Sequence, residues 1–271
     1  MEIVCIKLGG SLITDKNKPY TARPQIIIQL VTELKKAFQD NPNLNLVLGN
    51  GAGSFAHQSA QKYDTYNGFS TKEGALGACV VHNDAAKLNS ILVEECIKQE
   101  LPVYSLQPSA MMLANNRSLS DSYWSSLNVL LKKRIIPFVY GDVILDTSTG
   151  STIFSTDTLF RIIGTYLKEQ GYTIRMIHVG DYSGVLDKDG QVISQITPDT
   201  YDSMKDALTS SESTDVTGGM KLKVEEMIKL AKKGVTSYII DGTLPGNISI
   251  ALSSRSVGTQ ILSTNASVSK P

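Results

Sequence analysis

Three short stretches join glycines to side chains that can handle an anion. In "KLGGS", residues 7–11, a lysine precedes two glycines and a serine, and Lys16 follows Lys7 by nine residues. In "GAGSFAH", residues 51–57, a glycine-rich turn ends on His57. In "DVTGGMKLK", residues 215–223, two glycines open a segment that carries Lys221 and Lys223. Glycine lets backbone N–H groups approach an anion closely, and lysines neutralise its charge. Each stretch also has a plainer explanation: a tight turn with a snorkelling lysine, a surface histidine at a helix start, or a hinged helix with solvated lysines.

Three aspartates accompany them. Asp142 and Asp181 each follow an apolar run, and Asp157 stands where a helix should begin. Aspartate at a helix start ordinarily caps it, and Asp181 could equally orient a lysine, hold a water of Mg²⁺ or cap a turn. The sequence has no His/Cys cluster with metal-ligand spacing and no Ser–His–Asp arrangement, so no protein-held metal is expected. It has neither GxxxxGK[ST] nor GxGxxG. Several glycine turns plus lysines point to phosphoryl chemistry, which needs positioning and charge neutralisation more than a covalent nucleophile.

The elements that must position these groups show in the hydropathy pattern. Short apolar, β-branched runs at 3–8, 44–49, 102–106, 135–141, 174–180 and 237–242 read as strands. Between them, residues 23–39, 71–100, 125–134, 155–170 and 218–234 repeat apolar residues every three or four positions, as amphipathic helices do. Such alternation predicts an α/β fold with a mostly parallel sheet covered on both faces. Ligands of such sheets bind at the carboxyl ends of the strands, where these glycines fall. The turns "DTSTGS" (146–151) and "DKDG" (187–190) read as hairpins. The Ser/Thr-rich stretch 206–219 reads as a mobile loop over the site, and residues 263–271 as a flexible tail.

The 271 residues contain 26 basic and 26 acidic side chains, so no global field favours nucleic acid or a membrane surface. The N-terminus lacks a signal-peptide pattern, and no run approaches 18 apolar residues. Cys5, Cys79 and Cys96 share no pairing pattern and read as reduced, small apolar filler. A soluble, cytoplasmic protein is the expectation.

In order along the chain, "KLGGSLIT" (7–14), "GAGSFAH" (51–57), "LPVYSLQPSA" (101–110), "PFVYGDVILD" (137–146), "DVTGGM" (215–220) and "PGNI" (245–248) resemble the amino acid kinase superfamily and, within it, the isopentenyl phosphate kinases. The likeness runs from residue 7 to about 262. It implies a single domain, residues 1–262, folded as an open αβα sandwich that forms a homodimer, with an acceptor half (about 1–170) and a nucleotide half (about 171–262). It implies ATP and Mg²⁺ as cofactors and a small phosphate, isopentenyl phosphate, as acceptor. By the same resemblance Lys7, Gly9, Gly10, Ser11 and Lys16 attend the ATP phosphates. Gly51, Ala52 and Gly53 lie between acceptor and ATP. His57 holds the acceptor phosphate and Asp157 stands near it. Asp181, Gly219 and Lys223 belong to the nucleotide side. Lys7, Lys16, His57 and Asp157 are the expected catalytic set. The apolar tail would run along segment 71–100, at Ala75, Leu76, Ala78, Cys79 and Val80.

The chain departs from the family pattern at Asn50 (often His), Ala56 (Gly), Thr156 (Gly) and Ser183. Two other enzymes and one non-enzyme compete with this expectation. They are a fosfomycin-kinase-like enzyme, an acyl phosphate-forming amino acid kinase, which would lack His57, and a silent nucleotide-binding regulator, which would have lost a phosphate lysine.

Overall fold

A computed structural model describes residues 1–203, 219–253, 255 and 257–263. The expected mobile loop (apart from Gly219) and nearly all of the expected tail lie outside the described residues. The framework is an eight-stranded sheet. In spatial order its strands are Gln195–Ile196 (β10), Thr259–Ile261 (β12), Thr236–Asp241 (β11), Thr173–Gly180 (β9), Glu2–Leu8 (β1), Leu46–Asn50 (β2), Ile136–Tyr140 (β6) and Val103–Ser105 (β3). Neighbours run parallel except β11 and β12. All six strand-like runs read from the sequence lie in this sheet.

The remaining strands form a separate four-stranded sheet: Met112–Asn115 (β4), Ser118–Ser122 (β5), Asp142–Asp146 (β7) and Gly150–Phe154 (β8). β7 and β8 are the two arms of the "DTSTGS" hairpin. Asp142 thus begins a strand rather than merely following one.

Among the described residues the α-helices are Gly10–Ile13 (α1), Pro24–Asp40 (α2), Gly53–Lys62 (α3), Lys72–Lys98 (α4), Ser125–Lys132 (α5), Thr156–Glu169 (α6), Gly219–Ala231 (α7) and Asn247–Leu252 (α8). Helix α2 opens with proline at its first position, where a missing N–H costs nothing. Helix α4 is capped by Thr71, whose hydroxyl accepts from Gly74 N at 3.1 Å.

Strand alternation sorts the side chains of β1 onto two faces. Val4, Ile6 and Leu8 join Ile27, Leu30 and Leu34 of α2, Leu88 and Leu92 of α4 and Ile248 of α8 in one core. Ile3 and Cys5 join Leu127 of α5, Leu159, Phe160 and Ile163 of α6 and Met176 of β9 in the other. Each of these fully buried side chains contributes ~1.5–3 kcal/mol of transfer free energy. Lys7 continues the second series, so its amine points under α6. Cys5 and Cys96 are the buried filler expected of them, and burial pushes both thiols up to about 12. Cys79 is exposed, because it lies on the solvent side of α4. Among the described residues no helix is long and apolar enough to cross a membrane.

Candidate active site at the carboxyl ends of the central strands

The carboxyl ends of β9, β1 and β2 lie side by side. In register, His178 of β9 pairs with Lys7 of β1, and Lys7 pairs with Gly49 of β2. Paired residues of neighbouring strands share a face, so His178 and Lys7 stand together beneath α6. Gly49 completes the row without a side chain. A Cβ there would come within 2.7 Å of the Phe160 ring and 2.8 Å of Thr156 Cγ2, so glycine lets α6 settle onto the sheet.

Helix α6 brings the acid. Its cap is Ser155, whose hydroxyl accepts from Thr158 N at 3.2 Å. The capping role open to Asp157 therefore belongs to Ser155, two residues before it, which frees the aspartate. Asp157 Oδ2 forms an ion pair and hydrogen bond with the Lys7 ammonium, and Lys7 is only 6 % exposed. His178 Nδ1 stands 3.2 Å from Asp157 Oδ1, out of line for a hydrogen bond. Burial works to raise the Asp157 pKa, but the charge of Lys7 and the contribution of His178 outweigh it and hold the carboxyl far below the usual range. His178 is depressed by burial and by Lys7 and Lys223, against the partial pull of Asp157. The Asp157 carboxyl is therefore ionised and the His178 imidazole neutral at pH 7.

Two glycine turns lie back to back in front of this row. A Cβ on Gly10 would stand 2.7 Å from Gly53 Cα, and one on Gly51 would stand 2.8 Å from Gly10 N. Gly53 has φ +53°, a left-handed conformation that favours glycine. Thr14 stitches the turns together: its hydroxyl donates to Gly10 O at 2.7 Å and accepts from Ser54 N at 2.9 Å. The N–H of Gly9 is bound to Val179 O and that of Gly51 to Leu8 O, so these two glycines serve the turns' packing. Gly10 and Ser11 open α1, and Gly53 opens α3 with Ala52 as its cap residue. The leading N–H groups of a helix have no intrahelical partner and suit an anion.

The remaining predicted residues surround these turns. Ser11 Oγ donates to Asp181 Oδ1 at 2.6 Å, and the exposed Lys16 ammonium lies 3.6 Å from Asp181 Oδ2. Asp181 follows directly on β9 and holds both. Lys223, on α7, lies over the Tyr182 ring at 5.2 Å; Gly219 begins that helix. His57 is exposed on α3, with Nδ1 3.4 Å from Tyr66 Oη. The protein packed around its ring lowers its pKa, and the charges of Lys7 and Lys223 lower it further. The same two lysines thus act on His57 and on His178. Of the proposed apolar wall, Ala78 is buried, whereas Leu76 is 59 % exposed and Cys79 faces solvent.

The four departures from the family pattern sort differently. Asn50 is buried and belongs to a polar chain: Asn89 Nδ2 donates to Asn50 Oδ1 at 2.9 Å, and Ser105 Oγ donates to Asn89 Oδ1 at 2.6 Å. Thr156 donates to Asn50 O at 2.6 Å. Ala56 lies inside α3 without a positive φ, where a methyl group fits. Ser183 is exposed, and nothing in the structure explains it.

Three groups of this region escaped the sequence reading. His178 stood in a quoted strand but carries no motif. His82 of α4 reaches Asp142 Oδ1 at 2.8 Å, while Asp142 Oδ2 accepts from Ser109 N at 3.0 Å in "QPSA". Tyr20 donates to the buried Asp84 at 2.8 Å and so straps the loop bearing Lys16 onto α4.

The model of the amino acid kinase family matches residues 2–241. The chain is 28 % identical over 267 residues to the isopentenyl phosphate kinase of Methanocaldococcus jannaschii, covering 96 % of this chain and 98 % of that one. It is 32 % identical over 274 residues to the isopentenyl phosphate kinase of Methanothermobacter thermautotrophicus, with the same coverages. A solved isopentenyl phosphate kinase structure superposes with a TM-score of 0.79 at 28 % identity, covering 96 % of this chain and all of the other.

Proposed function

The chain belongs to the amino acid kinase family, and from that premise we propose that it transfers the γ-phosphoryl group of ATP to isopentenyl phosphate, giving the diphosphate and ADP. The observation that carries the choice of acceptor is the near full-length likeness to two isopentenyl phosphate kinases. The site suits the reaction. An acceptor phosphate oxygen is already anionic, so the protein needs no general base. Its work is to bring two phosphates together: like unit charges ~4 Å apart repel by about 4 kcal/mol at an effective dielectric of ~20.

In this reading Lys7, held by Asp157, neutralises the transferring group. Lys16 and Lys223 attend the ATP phosphates from the loop after α1 and from α7. Ser11 and Asp181 fix the nucleotide side, with Gly9, Gly10 and Gly219 shaping the turns. Gly51, Ala52 and Gly53 form the wall between donor and acceptor. His57, neutral at pH 7, donates one N–H to the acceptor phosphate. Mg²⁺ would enter with ATP and supply further charge neutralisation. Among the described residues no group of three His, Cys, Asp or Glu is placed to hold a metal. We also propose the acceptor half as about 1–170 and the nucleotide half as about 171–262, a homodimer, and a cytoplasmic location.

The test is direct. Purified protein with Mg-ATP should form isopentenyl diphosphate from isopentenyl phosphate. Turnover no better than on N-acetylglutamate or on a phosphonate would refute the assignment of the acceptor.

A further inference from the structure

We propose that His178 is a positioning residue for the transfer: through Nδ1 it fixes the Asp157 carboxylate, and through that carboxylate it fixes where Lys7 presents its ammonium. The inference rests on the kinase reading given above for the site. Its first support is the strand register. Positions on this face of β9 are otherwise apolar, Ile174 and Met176, and the residue paired with His178 on β11 is Ile239. A histidine only 3 % exposed in that row adds a polar group that packing does not require.

The second support is the pairing of needs. Asp157 Oδ1 and His178 Nδ1 are both buried, neither has an in-line hydrogen-bond partner, and they face each other at 3.2 Å. A small rotation of the ring or the carboxylate aligns an N–H with the oxygen. The Phe160 ring meets the imidazole edge-to-face, the two centroids 6.3 Å apart.

The chemistry explains why two partners are needed. Asp157 Oδ2 holds Lys7. When Lys7 shares its charge with a transferring phosphoryl group, that carboxylate must stay ionised and oriented in a dry pocket. An N–H on its second oxygen does this without adding a charge. Without His178 the carboxylate is free to turn about its last bond, and Lys7 follows. A reacting geometry misplaced by ~1 Å can cost ~100-fold in rate.

The experiment has two arms. The chain has three histidines, so a long-range ¹H–¹⁵N spectrum of the intact protein resolves each ring, with His178 identified by its loss in His178→Asn. We expect His178 to carry its proton on Nδ1 at pH 7, and its signals to move in Asp157→Asn. A ring protonated on Nε2 and indifferent to Asp157→Asn would overturn the pairing. In the kinetic arm, His178→Leu should lower kcat by about 10- to 100-fold while each KM stays within about threefold, and His178→Asn should recover most of the loss. Wild-type kcat in a folded His178→Leu protein, with only its melting temperature reduced, would overturn the positioning role. Should His178→Leu fail to fold, the spectrum and His178→Asn still decide: an Asn variant as slow as Asp157→Asn refutes rescue by an N–H. A wild-type protein inert toward isopentenyl phosphate would instead sink the acceptor assignment, and the spectral arm would still test the pairing.

Discussion

Gly10→Ala isolates what the two glycine turns do for each other. Gly10 has no positive φ, so alanine suits its backbone and the whole effect comes from contact. The new methyl group would stand 2.7 Å from Gly53 Cα, and closer still to the Gly53 nitrogen, whereas ordinary contact begins at 3.4 Å. Relief at Cα alone requires 0.7 Å (3.4 − 2.7), and the nitrogen requires more, so the turns must part by about 1 Å. Both partners are backbone, and Thr14 ties them together, so no flexible side chain can give way. Parting them separates Lys7 and the start of α1 from His57 and the start of α3. In a reaction governed by positioning, that displacement should lower kcat by about 100-fold, or ~2.7 kcal/mol of transition-state stabilisation. The accompanying overpacking should cost ~1–3 kcal/mol in stability. Gly171→Ala is the control: φ is +86° and nothing lies within 4 Å of the new Cβ. It should lose ~1–2 kcal/mol to backbone strain and keep its rate. The assay is coupled ADP release at saturating ATP and isopentenyl phosphate, with thermal melting in parallel. A Gly10→Ala enzyme that melts like Gly171→Ala and keeps its kcat would refute the idea that the turns are held together to align the reacting groups.

Two further outcomes are expected. His57→Ala should raise KM for isopentenyl phosphate by about tenfold or more while nucleotide affinity, followed by ATP titration, changes by less than about twofold; equal losses would contradict an acceptor-side role. His82 is raised above its ordinary 6.5 by its hydrogen bond to Asp142, against burial and with help from the Asp142 charge. A raised folded-state value means protonation favours the folded protein. That stability is fully present below pH 6.5 and is lost as pH rises through the folded value. The melting-temperature advantage of wild type over His82→Gln should therefore be largest below pH 6.5 and shrink above it, and a constant difference from pH 5 to 9 would show that the His82–Asp142 contact is not ionic.

Most of the main sheet was legible because its strands are buried on both faces and read as continuous apolar runs. β4 and β5 were not. "SLSDS" is polar and exposed, and its pairing with β4 depends on contacts no local pattern encodes. The five helical segments read from the sequence (α2, α4, α5, α6 and α7) were legible to within a few residues because each buries one stripe, whereas the shorter α1, α3 and α8 were not among them. At the site, the glycines, Lys7 and the aspartates announced themselves by type and spacing. Their partners did not, because partnership is a long-range property: Lys7 and Asp157 are separated by 150 residues and Ser11 and Asp181 by 170.

Asn50 shows how far this reaches. In sequence it is an unexplained letter beside a glycine turn. In the fold its side chain accepts from Asn89, whose own oxygen accepts from Ser105 at the end of β3, while its carbonyl accepts from Thr156 on α6. The end of β2 is thereby fastened to α4, β3 and the helix that carries Asp157. Thr156, another of the family departures, donates to the backbone carbonyl of residue 50 and so does not depend on the side chain there: a hydroxyl at 156 ties the acid's helix to the glycine turn directly. A glycine at 156 would leave that carbonyl to its sheet neighbour Gly141, which donates to it at only 3.3 Å. The hydroxyl at 156 is thus a second tether on the placement of Asp157, beside the Lys7 ammonium.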